Sequence, residues 1–291
     1  MLSALLLGAA AAAAAAAPPP PPPPPVEAWD PAEGDWVTIA DDDLLVMTLK
    51  GGKRVVIRLA PAYAPEHVAN IRKLARAGWW DRQSVYRVQE NWVAQWGDAT
   101  EKKPLPGGII ARPAAEFDIA AFSPAQTMAK SDAYSAVSGV SADGWAMATD
   151  RKAAWLAHCY GTVGVARDAL PDTGTGAELF TPIGQSARRL DRNYTIVGRI
   201  IEGMEHLSAL PRSSAPLGVY ATLLERMPIL TVRLASEIPA AERPHFQYRA
   251  ADNIRFAAAI ARKETPAAPT VGLGGADVCD IPLAVRTAPA P

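Results

Sequence analysis

SVYRVQENWVAQWGD, residues Ser84 to Asp98, reads as two short strands around a polar turn at Gln89-Glu90-Asn91. Val85 to Val88 is β-branched and aromatic around one arginine, Arg87. From Trp92 to Gly97 the alternation places Val93 and Gln95 on one face and Trp92, Ala94 and Trp96 on the other. Arg87 and Gln95, on neighbouring strands beside an apolar surface, form a donor pair suited to gripping peptide carbonyls. Taken alone, a strand arginine more often serves a surface ion pair or a snorkelling stem. The pair gains meaning only from its company.

Upstream, Leu44 to Leu49 and Arg54 to Leu59 alternate apolar and polar residues, and Gly51-Gly52 between them supplies a hairpin turn. Ala64-Pro65 opens a helix, since proline suits a first turn, and Val68, Ile71, Leu74 and Ala75 give it one apolar face. Gly78 stops it. Further strands read at Thr162 to Arg167, Thr195 to Ile200 and Ile229 to Ala235, the last placed to close a barrel. Short strands, glycine-rich turns and few helices indicate a mainly β chain built on an antiparallel barrel.

Two later segments join the Arg87 hairpin in a recognisable order. Gly161 to Phe180 reads GTVGVARDALPDTGTGAELF, and Leu190 to Met204 reads LDRNYTIVGRIIEGM. Together the three resemble the cyclophilin family of peptidyl-prolyl isomerases, in a bacterial, exported form, from about Leu44 to Leu210. Three ordered motifs are far more specific than one. The resemblance implies a closed eight-stranded antiparallel barrel capped by two helices, filled by side chains, with its groove on the outer wall. It places Arg87 as the catalytic arginine. Gln95 stands as the glutamine that holds substrate backbone, Phe180 as the aromatic floor of the proline pocket, and Ala166 as the small residue alongside the peptide. Leu190 falls on the wall, with Trp92, Val93 and Tyr194 completing the binding set. Trp92 replaces a phenylalanine, Val93 a methionine, Glu178 a glutamine and Arg189 an aromatic residue. Tyr194 matches many bacterial members.

The chemistry that this implies needs no cofactor. Rotation about an X-Pro bond breaks amide resonance and crosses a barrier of roughly 18–20 kcal/mol, so it relaxes over tens of seconds unaided. A catalyst holds the ring in a dry pocket, grips the flanking backbone and stabilises the twisted amide. The implied activity is therefore non-covalent isomerisation of proline-containing polypeptides. The alternative is a catalytically weak barrel retained as a peptide-binding or scaffolding module.

Composition bounds the rest. Net charge is −1 with 20% charged residues, so nothing favours nucleic acid or anionic lipid as a partner. His67, His158, His206 and His245 lack metal-ligand spacing, no G-x-S-x-G elbow or P-loop occurs, and Gly272 to Gly275 (GLGG) follows no convincing strand. A monomer is expected.

Residues 1–17 combine Leu2 and Leu5 to Leu7 with the run Ala9 to Ala17, too short for a membrane span of roughly 20 apolar residues. They fit a signal peptide, although no lysine or arginine precedes the apolar core; a low-complexity start is the other reading. Pro18 to Pro25 should form a polyproline II rod of roughly 25 Å within a linker over residues 18–34. The isomerase domain is expected over residues 35–212, with an insert at about 118–160 in which Gly144 to His158 carries a helical turn. An extension of unknown role follows over residues 213–291. In it, Ala250 to Lys263 reads as an amphipathic helix through Ile254, Phe256, Ala259 and Ile260. A periplasmic location would favour a Cys159–Cys279 bridge; two unrelated buried thiols remain the other reading.

Overall fold

The computed structural model describes residues 27–288 apart from 266, 268, 270 and 273; the expected signal segment and the proline run lie outside the described residues. In chain order the strands begin with β1 (Trp36–Thr38), β2 (Leu44–Leu49) and β3 (Lys53–Leu59), followed by helix α1 (Pro65–Arg76). Next come β4 (Ser84–Val88) and β5 (Val93–Gly97), then the short strands β6 (Gln126–Thr127), β7 (Val137–Val140), β8 (Ala146–Thr149) and β9 (Ala154–Leu156). β10 (Thr162–Val165), β11 (Leu179–Pro182) and β12 (Ile196–Glu202) lead to α2 (Glu205–Ser208). The chain ends with β13 (Met227–Leu234), β14 (Phe246–Arg249), α3 (Ile254–Glu264) and β15 (Val285–Thr287).

Eight strands close a barrel in the order β10-β11-β5-β4-β13-β2-β3-β12, and every pairing in it is antiparallel. Its interior is filled by Leu45, Met47, Ile57, Trp96, Val163, Val197 and Val232 among others, with α1 laying Val68, Ile71 and Leu74 across one end. β2 is almost wholly buried because both its faces are covered. Leu45, Met47 and Leu49 point inward, while Leu44 and Val46 pack outward with Phe246 of β14.

β13 lies past the expected domain boundary at Arg212, so the barrel needs the chain as far as Leu234. The second cap is slighter than the resemblance implies: α2 is a single turn of 4 residues. The insert is not a loop. β6-β7-β8-β9 form a four-stranded sheet. The helical turn expected within Gly144 to His158 is replaced by the β8–β9 hairpin. Alanine's helix preference is weak against tertiary pairing, and Asp150 turns the chain by accepting from the Lys152 and Ala153 amides.

The extension folds with the insert. β14 pairs with β1 and β15 in a second, three-stranded sheet. Phe256 and Ile260 of α3 bury against Met128, Val140, Ala146, Val278 and Ile281. Ile254, expected on that face, is 81% exposed, because two residues turn a helix about 200° and put it opposite Phe256. Cys159, just before β10, is bonded to Cys279 in the extension, with Cα atoms 5.3 Å apart. No helix among the described residues is long and apolar enough to cross a membrane.

The disulfide closes a loop spanning a sequence separation of 120 residues. Replacing both cysteines by serine should lower unfolding stability by up to about 4–5 kcal/mol in the chain-entropy treatment. Denaturant titration of the double variant against wild type, each with and without reductant, measures the difference. Reductant should shift only the wild type.

Candidate functional site

Three adjacent strands set the site in one row across the outer barrel wall. Phe180 of β11 lies opposite Gln95 of β5, and Gln95 lies opposite Arg87 of β4. Their neighbours Leu179, Ala94 and Trp96 point into the core. In β4, Val85 and Val88 both belong to the core although three positions apart, which simple alternation forbids. A register shift between Val85 and Arg87 resolves this. The extra residue, Tyr86, makes a β-bulge that brings Arg87 to the outer face and returns Val88 to the inner one.

Arg87 is held by three acceptors. Its Nε donates to the Leu217 carbonyl at 2.7 Å, Nη1 to Gln95 Oε1 at 3.0 Å and Nη2 to Gln89 Oε1 at 2.6 Å. Burial lowers its pKa, yet a guanidinium keeps its charge near neutral pH. Gln95 Nε2 donates to the Tyr86 hydroxyl at 2.5 Å, which donates in turn to Glu178 Oε2 at 2.9 Å. One amide hydrogen of Gln95 is thus committed within the protein, not offered to a ligand. The Asp98 amide donates to Glu178 Oε1 at 2.5 Å. Burial pushes the Glu178 carboxyl up to about 7, against the pull of those two donors, and the charges of Asp98 and Glu101 add to the rise.

Beside the arginine lies a concavity of about 110 Å³, room for one small ring and well below the 300 Å³ or more of typical drug-sized sites. The structure brings all the sequence-predicted site residues to it. Arg87 and Gln95 form the polar end, Phe180 and Val93 the base, and Trp92, Leu190, Ala166 and Tyr194 the wall. Trp92 departs from the face assigned by alternation. It lies before β5, where its amide donates to the Gln89 carbonyl, and so packs at the pocket rather than beside Ala94 and Trp96. Arg189 is exposed and does not line the concavity.

Phe180 is fixed from several sides. A Cβ on Gly164 would fall 2.4 Å from its ring, so only glycine lets the ring lie flat on β10. Tyr194 meets it edge-on at 5.3 Å, and the buried His158 ring stacks parallel to it at 6.3 Å. Two participants escaped the sequence reading. Arg167, the other charged lining residue, rests 5.0 Å from the Tyr194 ring centre and is tethered by its Nε to the Asn193 carbonyl. Tyr86 gives no signal at all, because only the bulge turns it toward Gln95. Among the described residues no group of three or more His, Cys, Asp or Glu is placed to hold a metal ion. The arrangement offers a charged planar donor beside a small cup with an aromatic base, suited to an apolar ring flanked by amides.

Residues 44–233 match the family model described as cyclophilin type peptidyl-prolyl cis-trans isomerase/CLD. A probable peptidyl-prolyl cis-trans isomerase of Brucella suis is 26% identical over 175 residues, covering 60% of this chain and 74% of that protein. The peptidyl-prolyl cis-trans isomerase CYP23 of Arabidopsis thaliana is 26% identical over 172 residues, covering 59% of this chain and 62% of that protein. Among solved structures, the cyclophilin AquaCyp293 from Hirschia baltica superposes with a TM-score of 0.63 at 23% identity. That likeness covers 87% of this chain and 93% of that one, so the shared fold extends beyond the barrel.

If Phe180 floors the cup, Phe180→Ala should weaken binding of a proline-containing peptide and abolish its NMR shift changes around Val93 and Ala166. The truncation should also cost about 3–5 kcal/mol of stability. Titration is therefore done well below the variant's unfolding midpoint. Retained shifts at Val93 and Ala166 would move the pocket elsewhere.

Proposed function

The chain belongs to the cyclophilin-type peptidyl-prolyl cis-trans isomerase family, and on that premise we propose that it isomerises X-Pro bonds of exported polypeptides through the Arg87 groove. The observation that carries the proposal is the juxtaposition of the Arg87 guanidinium with the cup floored by Phe180. In the planar ground state the prolyl nitrogen shares its lone pair with the carbonyl. As the bond twists, the pair localises on nitrogen and can accept a hydrogen bond. A guanidinium pinned by Leu217, Gln95 and Gln89 needs little reorganisation to supply that donor, so it favours the twisted state over either planar one. The ring held against Phe180 leaves the preceding carbonyl as the part that turns. No bond is broken and no proton is transferred.

The Cys159–Cys279 bond supports work outside a reducing cytoplasm, with residues 1–17 as the leader. Intact-mass measurement of protein recovered from the periplasm, alkylated without reduction, tests this. Loss of the leader with no alkylation is expected. A full-length cytosolic chain with two alkylated thiols would end the export reading and leave the isomerase reading standing.

Arg87→Ala should lower kcat/KM on a proline peptide by roughly 10²–10³-fold, about 2.7–4 kcal/mol, if Arg87 acts as an oxyanion-hole donor does. Arg87→Lys should recover only part of the loss, since an ammonium lacks the planar fork. A protease-coupled or NMR exchange assay measures both. Wild-type turnover in Arg87→Ala would overturn the assignment of the Arg87 groove as the site, whereas absence of turnover in the wild type would favour the peptide-binding module.

A further inference from the structure

The bridge from Arg87 to Glu178 has a direction. Its links are Arg87 Nη1 to Gln95 Oε1, Gln95 Nε2 to Tyr86 hydroxyl, and Tyr86 hydroxyl to Glu178 Oε2. A hydroxyl can turn either way and an amide can flip, so the two middle members do not define an orientation themselves. An ionised carboxylate accepts and never donates. With Glu178 ionised, Tyr86 must donate to it, Gln95 must then present its NH₂ to Tyr86, and its carbonyl is left facing the guanidinium.

The protein has also made room for this carboxyl. A Cβ on Gly97 would lie 2.3 Å from both Glu178 oxygens, so the group sits directly on the bare backbone of β5, with the Asp98 amide fixing its other oxygen.

We propose that Glu178 is a positioning residue for catalysis, orienting the Gln95 amide through Tyr86 so that Arg87 is held in its productive place. This rests on the reading of Arg87 as the catalytic group. Protonated Glu178 gains a donor and no longer requires Tyr86 to donate to it, so the Gln95 amide loses its anchor at that end and is held in place only by the guanidinium, a donor that still faces the Gln95 carbonyl. The groups facing Glu178 are Tyr86 from β4 and Asp98 and Glu101 from the segment after β5, with Gln95 and then Arg87 further along the chain beyond Tyr86. Burial raises the Tyr86 hydroxyl further above neutrality, and Asp98 is held below the usual carboxylate range by amide and hydroxyl donors at Thr100, Lys102 and Lys103. Glu178 itself changes charge near neutral pH, at about 7.

The sign follows from that rise. A raised carboxyl favours the folded state when protonated, and this contribution is lost as pH climbs through about 7. Activity runs the other way, because the ionised form is the one that orders the chain. Stability and turnover should therefore respond to Glu178 with opposite signs, which a purely structural role would not produce.

The test is the pH profile of kcat and KM from pH 5.5 to 8.5 for wild type, Glu178→Gln and Tyr86→Phe, with thermal unfolding measured alongside. Wild-type kcat should fall by at least about threefold toward pH 5.5, with an apparent midpoint within about one unit of 7 and little change in KM. Glu178→Gln cannot accept at both carboxyl positions and should be several-fold slower at pH 8 with a flat profile. Tyr86→Phe cuts the chain while sparing the carboxylate and should flatten the profile too. The Tm of Glu178→Gln relative to wild type should rise with pH. A low-pH limb that persists in both variants belongs to another group and overturns the proposal. So does a flat wild-type profile. If Arg87→Ala also keeps wild-type turnover, the site assignment itself has failed; if Arg87→Ala is inactive, only the role of Glu178 has.

Discussion

The groove exists because one residue too many is accommodated in β4. A closed barrel filled by its own side chains leaves no interior for a ligand, so any site must be assembled on the outer wall. Counted from the inward Val85, strict alternation would point Arg87 inward and Val88 outward, although Val88 belongs to the core. The bulge at Tyr86 satisfies both demands. It keeps the two valines packed with Trp96 and Ala94, places the guanidinium outside, and leaves the tyrosine beside Gln95 as the start of a polar chain. Bulges are common beside active sites for this reason: they re-aim a side chain without surrendering the core.

Polar order and apolar packing then divide the work. The Arg87 end is held by three hydrogen bonds, and the Phe180 end by contact alone, between Gly164, Tyr194 and the His158 ring. The half-buried Glu178 carboxyl lies where the two schemes meet, one residue before the strand that carries Phe180. Its raised pKa is a local cost of burial that the rest of the barrel absorbs.

How much of this could be read from the chain follows from the range of each interaction. The β2–β3 hairpin, α1 and the Arg87 hairpin are local patterns, and they occur where periodicity and turn residues place them. The pocket residues were named by resemblance, and they meet around one concavity. What was misread depends on local irregularities or on distant partners. Trp92 left its assigned face because the turn before β5 redirects it. Gly144 to His158 became a hairpin because β7 was there to pair with it. Ile254 is exposed because only Phe256 and Ile260 find a surface. Tyr86 was invisible because a bulge has no signature in a five-residue strand.

The histidine behind Phe180 changes what the appended sheets are. His158 is the residue before Cys159, and its amide is held by Asp191, whose other oxygen accepts from Arg188 and the Trp155 indole. Arg188 reaches on to Asp277, two residues from Cys279. The pocket floor is therefore anchored from behind by insert and extension together, through a covalent bond and an ionic cluster that meet within a few residues. A shortened chain ending at the barrel would not be a simpler version of this protein. It would be a barrel whose aromatic floor had lost its backing, and the boundary between catalytic unit and accessory has no clean place to be cut.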